Sequence, residues 1–278
     1  MNTDARIVVG YDGKPDSVAA LAWAAEVASL RGEGIVATTI IDPRQTPRGV
    51  AWPESYWEEL DDGAREVFAQ WPDVPAGIER HVGHLVPRLL ESAEGSSMLV
   101  VGSHGHNAVS EMLLGSVSQS AARHAALPVI VHRWPVNPHS GRIIVGADDS
   151  ESSTRALDFA CRIAQLRGDK VVALRAWETA SVVARRHGHL PPPSSDPPAA
   201  VERELGRVVD DLRKAHPEVA VEGELYHGPP ERGLVDAADN ASLMVVGSRG
   251  YTAVGEVLMG SVSHALLHRA HCPVAVIH

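Results

Sequence analysis

Apolar residues along this chain come in two rhythms. Short, mostly β-branched runs at Ile7-Val-Val, Ile35–Ile41, Met98–Val101 and Pro128–His132 are close to continuous, the pattern of strands buried on both faces of a parallel sheet, and Ile78–Val82 is read as a further strand. Between them the spacing widens: Val18, Leu21, Ala25 and Ala28 share one side of a helix that opens at Pro15-Asp-Ser and closes at Leu30-Arg-Gly32. Proline suits the first turn, and glycine after a basic last turn stops the helix. The same reading predicts helices over Pro53–Trp71, Pro87–Ala93 and Ser116–His124. The resulting order, β-α-β-α-β-α-β-α-β, calls for a parallel sheet covered by helices on both faces.

After Trp134-Pro-Val-Asn-Pro-His-Ser-Gly141, a linker by its prolines and glycine, the pattern starts again. Arg142-Ile-Ile-Val-Gly-Ala-Asp148 repeats Arg6-Ile-Val-Val-Gly-Tyr-Asp12 at an offset of 136, and Leu166-Arg-Gly168 repeats Leu30-Arg-Gly32. Further on, Gly247 matches Gly102 and Cys272-Pro273 matches Leu127-Pro128 at an offset of 145. The nine extra residues fall in the proline-rich stretch 186–198, too rich in proline for helix or central strand and read as a lid or spacer. A period of domain size means duplication rather than a solenoid. The expected domains are 1–133 and 142–278, joined by 134–141, with Val129–His132 and Val274–His278 as edge strands able to pair the halves.

The repeat also duplicates a glycine pattern. Leu99-Val-Val-Gly102-Ser-His-Gly105, nine residues, then Gly115-Ser116, recurs as Met244-Val-Val-Gly247-Ser-Arg-Gly250, nine residues, then Gly260-Ser261. Glycines after a strand free the backbone to turn and leave amides open to an anion, and the Gly-Ser at a helix start adds N–H groups at the positive end of its dipole. One copy alone is explained by a turn and a helix cap. Repetition of both parts with the same spacer points to a phosphate site in each half. With the first strand central and the order reversing after the third, Asp12 and Gly102 face one crevice at the switch point, and Asp148 and Gly247 face the other. A carboxylate beside a phosphate nest makes sense if it receives ribose or base donors, or holds a bridging divalent cation.

Composition narrows the field. In 278 residues the formal charge is −10, which disfavours nucleic acid as a partner. Cys161 and Cys272 form no metal or disulfide framework, and no apolar leader or long apolar run is present, so a cytoplasmic, membrane-free protein is expected. The 15 histidines show no ligand spacing. There is no Walker A loop, no Gly-x-Gly-x-x-Gly, no nucleophile elbow and no catalytic triad assignable from spacing.

The pattern Gly-x2-Gly-x9-Gly-Ser, present twice, resembles the nucleotide-binding signature of the universal stress protein family, and the opening strands with Asp12 and Asp148 are similar to that family's first strand and adenosine-side aspartate. The resemblance covers essentially the whole chain and implies two tandem Rossmann-like domains, each a five-stranded parallel sheet of order 3-2-1-4-5. It implies ATP as ligand. The ATP-binding residues would be Gly10, Asp12, Ile40, Gly102, Ser103, His104, Gly105, His106, Gly115, Ser116, Val117 and Ser118 in the first half. In the second they would be Gly146, Asp148, Ala176, Gly247, Ser248, Arg249, Gly250, Tyr251, Gly260, Ser261, Val262 and Ser263. Ile40 and Ala176 stand at the family's adenine position.

Two departures matter. The nine-residue spacers hold Glu111 and Glu256 and no Lys or Arg, so Mg²⁺ is the expected counter-charge. His104 stands where the second half has Arg249, which predicts tighter binding in the second half and more pH dependence in the first. Leu113, Leu114, Leu258 and Met259 read as core. The functional expectation is a non-enzymatic ATP-binding stress-response or growth regulator, with at most slow hydrolysis, acting through conformation, a homodimer or a protein partner. The alternative is a nucleotide-free interaction scaffold with vestigial sites.

Overall fold

The computed structural model describes residues 5–44, 52–103, 114–133, 140–178, 197–250 and 259–278. The first half runs β1 (Arg6–Gly10), α1 (Pro15–Arg31), β2 (Gly34–Ile41), α2 (Glu54–Phe68), β3 (Ala76–Val82), α3 (Leu85–Ser92), β4 (Met98–Gly102), α4 (Ser116–His124) and β5 (Val129–His132). The second runs β6 (Arg142–Gly146), α5 (Glu151–Arg167), β7 (Lys170–Trp177), α6 (Ala199–Ala215), β8 (Val221–His227), α7 (Pro230–Ala238), β9 (Leu243–Gly247), α8 (Ser261–Arg269) and β10 (Val274–Ile277). No described helix is long and apolar enough to cross a membrane.

The inner strands form where the continuous apolar runs lie, because they are covered on both faces, whereas the outermost strands β3 and β8 are polar and partly exposed. Ile7, Val8 and Val9 in β1 and Met98, Leu99 and Val100 in β4 are wholly buried. Parallel pairing gives β3-β2-β1-β4-β5 in the first half, with Val8 level with Val36 on one side and Leu99 on the other. The second half repeats β8-β7-β6-β9, with Ile144 level with Val172 and Met244. Helix α1 packs with α2, and α3 with α4. Gly32 (φ 64°) and Gly168 (φ 72°) end α1 and α5 in the left-handed conformation that the repeated Leu-Arg-Gly foretold.

The expectation of two separate five-stranded parallel sheets is corrected. The chain divides into two compact units, and β10 up to Val276 belongs with the first, 1–136. There it runs antiparallel to β5, Ala275 level with Ile130, so this unit has six strands and the other four. The pairing covers the edge of β5. Val129, Ile130 and Val131 are fully buried, and an apolar edge left open would invite aggregation.

Some boundaries also move. Helix α2 stops at Phe68 and the chain continues in turns, with Trp71 N bonded to Phe68 O and Val74 N to Trp71 O. Helix α3 begins at Leu85, which places Pro87 in a first turn where its missing N–H costs nothing. Met259 is buried as expected. The linker residues 134–139 and most of the proline-rich stretch lie outside the described residues.

Candidate functional site

Each half builds its site at the carboxyl ends of its first and fourth strands. The strand β4 ends in Gly102 and Ser103, and the carbonyl of Ser103 accepts the N–H of Gly115 at 2.7 Å. The Ser118 hydroxyl donates to the Gly102 carbonyl at 2.6 Å. These two bonds draw the start of α4 against the end of β4. In the second half Gly260 N donates to Ser248 O at 2.8 Å, Ser263 Oγ bonds Gly260 O at 3.0 Å, and Ser248 N reaches Ile277 O at 2.7 Å. The separated parts of each glycine pattern therefore meet. Gly115 and Gly260 occupy the N-cap positions of α4 and α8, and no side chain caps either helix. Ser116 and Ser261 are exposed there, Val117 and Val262 half-buried, and Ser118 and Ser263 buried.

Why glycine is required at the first position follows from packing. A Cβ on Gly102 would lie 3.0 Å from the backbone carbon of Asp16, and one on Gly247 would lie 2.9 Å from that of Ser152. The first turn of α1 or α5 thus presses on the strand end. Gly10 and Gly146, at the ends of the first strands, also have a packing reason for lacking a side chain: a Cβ there would stand 3.3 Å from Leu89 and 3.1 Å from Leu234, respectively.

Asp12 and Asp148 each organise the turn after the first strand of their half. Asp12 Oδ1 accepts from Lys14 N at 3.2 Å and Ser17 Oγ at 2.6 Å, while its own N–H donates to Ser17 Oγ at 3.2 Å. Asp148 Oδ1 accepts from Ser150 N at 2.9 Å and from the Ser150 hydroxyl, and Asp148 N donates to Ser153 Oγ at 3.0 Å. The turn-capping role is real in both. In the second half the aspartate also meets the glycine pattern, because a Cβ on Gly250 would stand 3.0 Å from Asp148 Oδ2.

Ile40 and Ala176 are half-buried near the ends of β2 and β7, level with His81 and Tyr226. Arg249 is exposed and Ser103 and Ser248 are buried. His104, Gly105, His106 and Tyr251 lie outside the described residues, as do Leu113 and Leu258.

Several residues at the site were missed by sequence reasoning. Asp16 Oδ2 accepts the Ser103 hydroxyl at 2.7 Å, whereas its counterpart Ser152 donates to the carbonyl of Arg249. Ser17 and Ser153 hold the aspartate turns in both halves, and the repeated Asp-x4-Ser could have revealed them. Arg175 in β7 clamps Asp149 through two bonds of 2.8 Å and Glu204 through one of 2.9 Å, tying the loop after β6 to α6. That guanidinium holds the Asp149 carboxyl below its ordinary range, and Asp149 in turn raises Arg175. Its first-half counterpart, Thr39, donates to Tyr11 O instead. Burial, with Asp12 and Glu66 nearby, pushes the Tyr11 phenol up to about 12.

The comparisons with known proteins follow this duplication. The model of the family described as "Universal stress protein family" matches residues 5–133 and again 139–278. The chain is 30% identical to the universal stress protein Rv2005c of Mycobacterium tuberculosis, with 97% of this chain and 96% of that protein covered. It is 32% identical to Rv1996 of the same organism, at 99% and 95%. Among solved structures, a universal stress protein from Archaeoglobus fulgidus superposes with a TM-score of 0.68 at 21% identity, covering 98% of this chain and 97% of that one, a likeness of fold.

Proposed function

This chain belongs to the universal stress protein family, with the family's unit present twice, and we propose that each unit is an ATP site whose occupancy sets the conformation or partner choice of a stress-response or growth regulator. The observation that carries the reading is the meeting, in each half, of a glycine-bearing strand end with an uncapped helix N-terminus, through the Ser103–Gly115 and Ser248–Gly260 bonds. Such a pair suits the phosphates, since backbone N–H groups and the helix dipole both favour negative charge. Asp12 and Asp148, past the ends of the adjacent first strands, suit the hydroxyl and amino donors of the nucleoside.

A divalent cation fits this proposal through the ligand itself. Among the described residues no group of three or more His, Cys, Asp or Glu is arranged to hold a metal. Mg²⁺ would share phosphate oxygens with at most one or two carboxylates, as it does when bound with nucleotides. The chain's own contribution is binding and positioning rather than rapid turnover. A homodimer and a protein partner that senses occupancy complete the proposal.

One observation favours the scaffold reading for the first unit alone. The carboxylate of Asp16 stands on Ser103, at the turn where phosphate would approach, and the second unit has a serine there. Calorimetric titration of the full chain with ATP and Mg²⁺ separates the readings. Two binding events support two sites, one event lost in Gly250→Ala leaves the first unit as scaffold, and none refutes the proposal.

A further inference from the structure

Helix α2 starts where the chain returns from the carboxyl end of β2, so its first turn stands at the same end of the sheet as Asp12. Two contacts fix its height over the loop after β1. A Cβ on Gly13 would run into Leu60 Cδ2 at 2.5 Å, and one on Gly63 would meet the Tyr11 hydroxyl at 2.7 Å. Tyr56 precedes Leu60 by four residues and so lies on the same side of α2, one turn nearer the rim. Its ring is 4.4 Å from that of Trp52 and 6.4 Å from that of Trp57. Arg80 holds Trp57 from behind, 5.6 Å above the ring, while bonding Glu54 and Asp61. The three rings are half-buried, fixed on one side and open to solvent in part.

The electrostatics of this rim select the occupant. Glu59 follows Tyr56 by three residues on α2, and burial, then Asp12 and Glu59, push the Tyr56 phenol upward. A flat, uncharged base with donor groups would gain both stacking and a carboxylate acceptor. The start of α6 in the second half lacks these rings: at the offset of 145, Pro197, Val201 and Glu202 replace Trp52, Tyr56 and Trp57, and the stacked pair there is instead Trp177 with His227 at the ends of β7 and β8, 4.2 Å apart.

We propose that Trp52 and Tyr56 form a stacking platform at the rim of the first site for the base of a purine nucleotide. The inference rests on the nucleotide reading of the site. It is tested by titrating the full chain with ATP and, separately, with inorganic tripolyphosphate, in the wild type, Trp52→Leu/Tyr56→Leu and Trp52→Phe/Tyr56→Phe. Loss of base–aromatic stacking should weaken one ATP event about tenfold or more in the leucine variant. The other event and tripolyphosphate binding should be unchanged, and the phenylalanine variant should keep the wild-type affinity. ATP binding indifferent to the leucines, or equal loss for ATP and tripolyphosphate, overturns the platform alone. A wild type that binds neither compound overturns the nucleotide reading, and the platform with it.

Discussion

The hydroxyl of Ser103 donates to the carboxylate of Asp16 at 2.7 Å, and the position corresponding to Asp16 in the second half is Ser152. Duplication has therefore left one glycine turn with an acid on it and the other with a hydroxyl. Asp16→Asn keeps an acceptor for Ser103 and removes the charge. It should raise first-site affinity for ATP about three- to tenfold at low salt, with a smaller gain at higher ionic strength. Titrations at two salt concentrations check this, and an unchanged affinity would separate Asp16 from the phosphates.

The two glycines of the second turn should fail differently. Gly247→Ala forces a Cβ against the backbone of Ser152 at 2.9 Å, and overpacking of this kind costs about 1–3 kcal/mol. Among the described residues, Gly250→Ala instead meets the end of the Asp148 side chain at 3.0 Å. A fall in the unfolding midpoint for Gly247→Ala, and weakened second-site ATP binding at a near-native midpoint for Gly250→Ala, are the expected results of thermal melts and calorimetry.

Arg175 gives the second unit an acid-sensitive latch. Its partner Asp149 has a folded-state pKa below the ordinary value. That contribution to stability is fully present above the unfolded pKa of about 3.9 and is lost as pH falls through the folded value. Arg175→Gln should lower the unfolding midpoint at pH 7 by an amount that shrinks between pH 5 and pH 3. Because the clamp fixes the loop carrying Asp148, the same variant should weaken second-site ATP binding. A pH-independent difference would contradict the latch.

Much of this was legible in the sequence because the repeat is local. The strand runs and the Leu-Arg-Gly helix stops follow from short apolar patterns and turn residues, the order of the first five strands follows from the family resemblance, and the structure has them all. The pairing of the two last strands was legible too, since Val129–His132 and Val274–His278 share one apolar character and β10 runs beside β5; the antiparallel sense of that pairing was not. At the site, Asp12 and Asp148 stood out by repetition. Asp16 and Arg175 did not, because their effect comes from what the fold brings beside them, Ser103 in one case and Asp149 with Glu204 in the other. At Gly10 and Gly146 the repetition was legible but the close approach of Leu89 and Leu234 was not.

The most direct test of the central claim is to denature the freshly purified protein and identify any released nucleotide by chromatography, with titration of ATP and Mg²⁺ into the nucleotide-free chain alongside. Two molar equivalents of ATP, released or rebound per chain, are the predicted result. A chain that releases no nucleotide and takes up none would contradict it, leaving the duplicated glycine patterns as structural turns of a protein-interaction scaffold.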